Sequence, residues 1–205
     1  MTNNKIFYFY LNTKKHLFFI FLFLLVSIKF SEAQTVNNNI YISFYNAVLS
    51  GPGIEDALLL SSEFEYSYQL YAFAVSKKIA SYKNSIDIEI EGQIVKHSGD
   101  QHHLEFNPVL VFRYSNFPWN HVLNTSFAFG EGLSYATKIP EIEQKHNENV
   151  AKFLNYLLFE FTFAMPETQQ WSLIARVHHR SGAYGLFSGV TGASNAVGLG
   201  IKYKF

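Results

Sequence analysis

Asn195-Ala-Val-Gly-Leu-Gly-Ile-Lys-Tyr-Lys-Phe205 is the stretch whose pattern decides the fold. Val197, Leu199, Ile201, Tyr203 and Phe205 take alternate positions, and Gly198, Gly200, Lys202 and Lys204 fill the others. A period of two belongs to a β-strand, whose successive side chains leave on opposite faces. One face is therefore apolar up to a final aromatic, and the other is small or cationic. The same alternation recurs upstream. In Ser85-Ile-Asp-Ile-Glu-Ile-Glu91, three isoleucines oppose Asp87, Glu89 and Glu91. In Phe159-Glu-Phe-Thr-Phe163, three phenylalanines oppose Glu160 and Thr162. Over residues 171–181 the odd positions are mostly apolar, and the even ones are Ser172, Ile174, Arg176, His178 and Arg180.

Turn signals divide the chain after Gln34 into eight predicted strands, over 39–49, 63–78, 85–96, 103–114, 121–136, 153–164, 170–181 and 195–205. Eight is the smallest size of outer-membrane barrel. Gly200, Tyr203 and Phe205 resemble the Gly-x-x-aromatic-x-aromatic ending of bacterial outer-membrane barrels, although Gly198 stands where a polar residue is usual. The resemblance implies recognition by the barrel assembly machinery through Phe205. The expected fold is thus all-β, an eight-stranded antiparallel outer-membrane β-barrel over residues 34–205, located in the bacterial outer membrane. A soluble periplasmic lipid-binding barrel is the alternative if the terminal aromatics carry no signal. In a membrane barrel the polar faces turn inward, so Asp87, Glu89, Glu91 and Glu160 are expected partners for Arg113, Arg176 and Arg180.

The start of the chain predicts export. Lys5, Lys14 and Lys15 precede an apolar run over residues 17–26, and Ser31-Glu32-Ala33 offers small residues at the −3 and −1 positions. A run of that length is short of the roughly 20 residues a helical span needs. Residues 1–33 therefore read as a cleaved signal peptide, with an uncleaved anchor as the alternative. Lys5, Lys14, Lys15, Lys29 and Glu32 leave with it, so 12 basic and 15 acidic residues remain, a net charge of −3. Such a balance gives no reason to expect nucleic acid. With no cysteine there is no disulfide framework, and a closed barrel needs none because its backbone hydrogen bonds are internal. The 21 Phe and 13 Tyr suit a lipid-facing band and interfacial girdles. Phe117 and Trp119 fit such a girdle.

The connections alternate in character. With the C-terminus periplasmic, the short links at 115–120 and 165–169 fall in the periplasm, and the longer links at 137–152 and 182–194 fall outside. The outer 3–4 link at 97–102 is a short exception. His97, His102 and His103 flank it, and no metal or other cofactor is expected there. Gly130 and Gly132, within the fifth strand, are read as marking a bend or bulge.

Chemistry is concentrated at His178-His179-Arg180-Ser181. His179 and Ser181 are two apart and so share a face, which continues the lipid-facing stripe of Trp171, Leu173, Ala175 and Val177. One reading is that the strand is leaving the membrane there. The other is a serine nucleophile activated by a histidine base. Asn195 opens the eighth strand with the same outward parity and could orient the imidazole. The Gly-rich stretch 182–194 could offer backbone amides to an oxyanion, or serve only as a flexible outer loop.

At these residues the chain resembles the outer-membrane lipid A 3-O-deacylase family, most strongly over residues 171–205. The resemblance implies an eight-stranded barrel that hydrolyses an ester-linked acyl chain of lipid A, with a His-x-Ser pair facing the membrane near the outer leaflet. It implies His179 as base and Ser181 as nucleophile. The family orients its histidine with a glutamate shortly after the pair, but no Asp or Glu lies between Ser181 and Phe205. Asn195, or an acid from another strand, would take that place. Without one, the expectation is a weakened enzyme, a different site arrangement or no catalysis. The competing functional expectation is a non-enzymatic barrel serving envelope integrity or adhesion.

Overall fold

The computed structural model describes residues 39–205 apart from 52, 84 and 169, so the expected signal peptide lies outside the described residues. Eight strands follow in chain order: β1 (Ile40–Ser50), β2 (Phe64–Tyr82), β3 (Ile86–Gly99), β4 (Leu104–Tyr114), β5 (Asn124–Ala136), β6 (Phe153–Ala164), β7 (Trp171–Ser181) and β8 (Ala193–Lys204). Each pairs antiparallel with its sequence neighbour, and β1 pairs with β8 to close the barrel. Closure removes the exposed strand edges. Two short helices, α1 (Ile54–Leu58) and α2 (Glu141–His146), lie in the first and third outer connections.

The expected strands recur with shifted ends. β2 runs on to Tyr82 beyond a bulge between Lys78 and Ala80. There Lys78 pairs with Asp87 at 2.7 Å, so that acid serves the periplasmic rim rather than an arginine. β3 continues to Gly99, which narrows the outer 3–4 turn to residues 100–103. Gly99 has φ +88°, and a Cβ there would lie 1.9 Å from the Ser67 carbonyl oxygen, so only glycine closes this turn. The register of β5 passes without a shift through Gly130 and Gly132 on both sides. Contrary to expectation these glycines make no bulge. Gly130 instead leaves room for Val109 and Leu158 in the lumen.

The lumen holds paired charges beside two buried apolar clusters, one around Tyr45, Leu70 and Val95 and one around Val111, Tyr156 and Leu158. Arg113 donates to Glu89 (2.7 Å) and Glu160 (2.9 Å). Arg176 donates to Glu91 (2.9 Å) and through Nε to Glu160 (2.8 Å). Lys202 also reaches Glu160, at 2.5 Å. Arg180 differs from the expectation. It sits at the outer end of the lumen, beyond the strand acids, and pairs with Glu143 of α2 at 2.5 Å. Glu143 also accepts from Ser194 Oγ, and Ile142 beside it is buried, so α2 caps the outer mouth. Burial pushes the Glu143 carboxyl up in pKa against the opposing pull of Arg180.

The outer wall carries Phe44, Phe73, Ile90, Ile94, Phe106, Leu110, Phe161, Leu173, Leu199 and Ile201, all exposed. A largely apolar wall around a lumen with buried charges inverts the soluble pattern and is that of a lipid-embedded barrel. Aromatic contacts gather at the periplasmic end, where Phe117 and Trp119 lie 5.0 Å apart and Trp171 and Tyr203 4.7 Å apart. This is the aromatic girdle of an outer-membrane barrel. Leu199, midway along β8 and 73% exposed, faces lipid. Leu199→Arg is expected to lower stability in phospholipid vesicles by about 2–4 kcal/mol, read by denaturant unfolding. A water-facing site would change it by less than about 0.5 kcal/mol.

Candidate active site on the outer wall

Parity places His179 and Ser181 on the outward face of β7, while Arg176, His178 and Arg180 turn into the lumen. The cross-strand register then sets their neighbours. His179 lies opposite Asn195 of β8 and Leu157 of β6, and Ser181 lies opposite Asn155 of β6. Asn195 in turn faces Ser50 of β1. On β5, Glu131 shares the outward face with Phe127, Phe129, Leu133 and Tyr135, and it pairs with Leu157. Its carboxylate oxygen Oε2 is buried without a hydrogen-bond partner. A polar band made of Glu131, Asn155, Ser181, His179, Asn195 and Ser50 thus crosses five strands of the wall. Polar and ionisable groups turned toward lipid are costly, and they mark function by default.

Geometry within the band settles the protonation of the histidine. The Asn195 amide donates from Nδ2 to the Gly51 carbonyl oxygen at 2.7 Å. That turns Oδ1 toward His179, whose Nδ1 lies 2.6 Å away. An amide oxygen only accepts, so Nδ1 carries the proton and Nε2 presents its lone pair. His179 is not open to lipid as its parity alone suggests, being only 5% exposed. The first outer connection with α1, and the last outer connection, border it and form an open cleft of about 430 Å³. Ser181, Asn155 and Glu55 line the same cleft. Glu55 stands in the first turn of α1 and lines the cleft that His179 borders.

Of the three residues singled out in the sequence, His179 and Asn195 are hydrogen-bonded, and Ser181 lines the same cleft as His179 without bonding to it. Asn155, Glu131 and Glu55 were not recognised. Parity gave a signal for the first two, because both occupy outward positions in otherwise apolar strand faces. Glu55 has no strand parity, and only the fold of the first outer connection brings it here.

A second polar cluster lies inside the outer mouth. His178 Nδ1 lies 3.0 Å from the Tyr45 hydroxyl, and its Nε2 lies 3.0 Å from Glu105. His97 Nε2 lies 2.8 Å from the other Glu105 oxygen, and Gln101 meets His97 Nδ1 at 2.8 Å. His103 stacks on His97 with ring centroids 4.0 Å apart. Desolvation holds the His103 ring neutral, its pKa pushed down to about 3, and the neighbouring His97 acts in the same direction. His102 between them is exposed.

The architecture and the outward polar band define a small outer-membrane β-barrel with a serine–histidine cluster on its wall. No family model and no curated protein matches the chain. Among solved structures the fold is similar to Neisserial surface protein A, at 11% identity over 83% of this chain and 98% of that one, with a TM-score of 0.51. It is equally similar to the outer membrane enzyme PagL, at 13% identity over 80% of this chain and 98% of that one, also with a TM-score of 0.51. At such identities the likeness is one of fold.

Proposed function

We propose that this barrel is an outer-membrane esterase that hydrolyses an ester-linked acyl chain of lipid A. The supporting observation is the Gly51–Asn195–His179 chain of hydrogen bonds, which leaves a bare imidazole nitrogen on the wall two residues from a serine. In this reading Ser181 Oγ attacks the ester carbonyl carbon as His179 Nε2 takes its proton. The imidazolium then returns that proton to the leaving alkoxide, and water releases the acyl chain from Ser181 by the same route reversed. Asn195 holds the tautomer but carries no charge. Glu55, which lines the same cleft as His179, is the acid that would take the place of the family's glutamate. Asn155, opposite Ser181 and lining the same cleft, would donate its amide N–H to the developing oxyanion. The substrate arrives by lateral diffusion in the outer leaflet.

Mass spectrometry of lipid A from cells expressing the wild type or Ser181→Ala tests this directly. Loss of one acyl chain with the wild type alone is the expected result. Loss with both variants would retain the esterase and discard Ser181. Unchanged lipid A in both, with the barrel correctly inserted, would favour an envelope-integrity or adhesion barrel.

A further inference from the structure

Every buried carboxylate of the lumen but one has an arginine or lysine partner among the described residues. Glu89 and Glu160 pair with Arg113, Glu91 and Glu160 with Arg176, Glu160 with Lys202, and Glu143 with Arg180. Glu105, 1% exposed, meets only His97, His178 and the Ser134 hydroxyl. A buried charge needs an opposite charge or metal coordination to offset its lost hydration. Beside it is a second anomaly. His103 is 4% exposed, and its Nε2 is buried without a hydrogen-bond partner. A buried imidazole nitrogen left unpaired costs about 1–3 kcal/mol. A carboxylate whose only basic neighbours are histidines and a buried imidazole nitrogen without a partner thus stand together, and a cation with affinity for nitrogen would serve both.

We propose that His97, His103 and Glu105 form a binding site for one divalent transition-metal ion of the zinc type. One ligand atom from each lies within 4.8 Å of the others. All three come from the β3–β4 hairpin, where Gly99 sets the turn that folds His103 back over His97. Two imidazoles and one carboxylate suit zinc, cobalt or nickel rather than calcium or magnesium, which prefer oxygen alone.

The surroundings resemble those of a metal site, in which the ligands are themselves held by hydrogen bonds. Gln101 holds the far nitrogen of His97, its amide oxygen turning inward when that nitrogen carries the proton. Ser134 and His178 hold the Glu105 oxygen that does not face His97. A small void borders His97, Gln101, Glu105 and His178 on the side away from His103, so the ion would have to sit between the two imidazoles rather than in it. Arg180 also borders it, but its charge is met by Glu143. Binding requires His103 to turn out of its stack so that Nε2 points at the ion, and His97 Nε2 to give up its proton. The ion would clamp the hairpin at the outer mouth, on the lumen side of the wall and separate from Ser181.

The test uses untagged protein isolated from outer membranes and exchanged into zinc-free detergent. Equilibrium dialysis against zinc, with metal measured by mass spectrometry, is expected to give one tightly held ion per barrel. His103→Gln is expected to weaken that binding about 100-fold or more, while His102→Gln leaves it unchanged. X-ray absorption of the zinc-loaded wild type is expected to show two imidazoles. That measurement keeps the test decisive if a variant does not fold. No uptake by the wild type, uptake undiminished in a folded His97→Gln/His103→Gln variant, or a zinc shell without imidazole would each overturn the site. Lipid A deacylation does not enter the measurement, so its success or failure is independent of the proposed esterase.

Discussion

Replacing Glu160 with alanine is expected to destabilise the barrel by about 3–5 kcal/mol, the largest effect of any single lumen substitution. Glu160 is fully buried and is the point where Arg113, Arg176 and Lys202 converge. Arg113 and Arg176 keep second partners in Glu89 and Glu91, but among the described carboxylates Lys202 pairs only with Glu160. Removing the carboxylate therefore leaves surplus positive charge among side chains that are almost fully buried. A buried ion pair adds little net stability over apolar packing, yet breaking one by removing a single partner is costly, because the other charge stays behind without its hydration. Denaturant unfolding in detergent or vesicles, followed by the shift in electrophoretic mobility on heating, reads the difference. A change of less than about 0.5 kcal/mol would mean that water fills the lumen and solvates these charges.

His179→Ala is expected to lower deacylation by about 10²–10⁴-fold with little change in barrel stability. The adjacent His178→Ala should do the reverse. His179 lies on the outer wall with its Nδ1 on Asn195, and nothing in the lumen depends on it. His178 lies in the lumen between Tyr45, Tyr156 and Glu105, and its loss leaves their polar groups short of a partner. Such a loss costs about 1–3 kcal/mol but does not touch the reacting atoms. Deacylation rates and unfolding midpoints of the two variants, measured side by side, separate the roles. Activity lost in His178→Ala and kept in His179→Ala would mean that the outward serine does not work with the outward histidine. A one-residue change of register exchanges the faces of the two histidines, so the contrast also tests the strand alignment.

Much of the architecture was legible from alternation. Val197, Leu199 and Ile201 against Gly198, Gly200 and Lys202 identified both the strand and its two environments. Glu160, Arg176 and Arg180 were read as inward-facing from parity, and they are. The same rule placed His179 and Ser181 outward and Asn195 beside them. It also carried information that went unused: Glu131 and Asn155 sit at outward positions and complete the polar band. Parity did not reveal which acid meets which base. Arg180 pairs with Glu143, a residue of a helical connection with no strand pattern at all. Asp87, aligned with Glu89 and Glu91 in the sequence, pairs with Lys78 at the rim because a bulge in β2 ends the regular ladder there.

The side on which each strand residue emerges follows from the pleat of the backbone, a local property that a few consecutive residues reveal. Lipid-facing and lumen-facing sets, the barrel they imply and the outward His-x-Ser pair were therefore open to reading in the chain. Partnership across the barrel depends on register, closure and the path of the outer connections, which are settled by packing over the whole sheet. Only the folded molecule brings Gly51 to Asn195, brings Glu55 of α1 to the cleft that His179 borders, draws Glu143 down to Arg180 and stacks His103 on His97 beside Glu105. These contacts join residues distant in sequence or separated by a turn, and no short-range pattern encodes them.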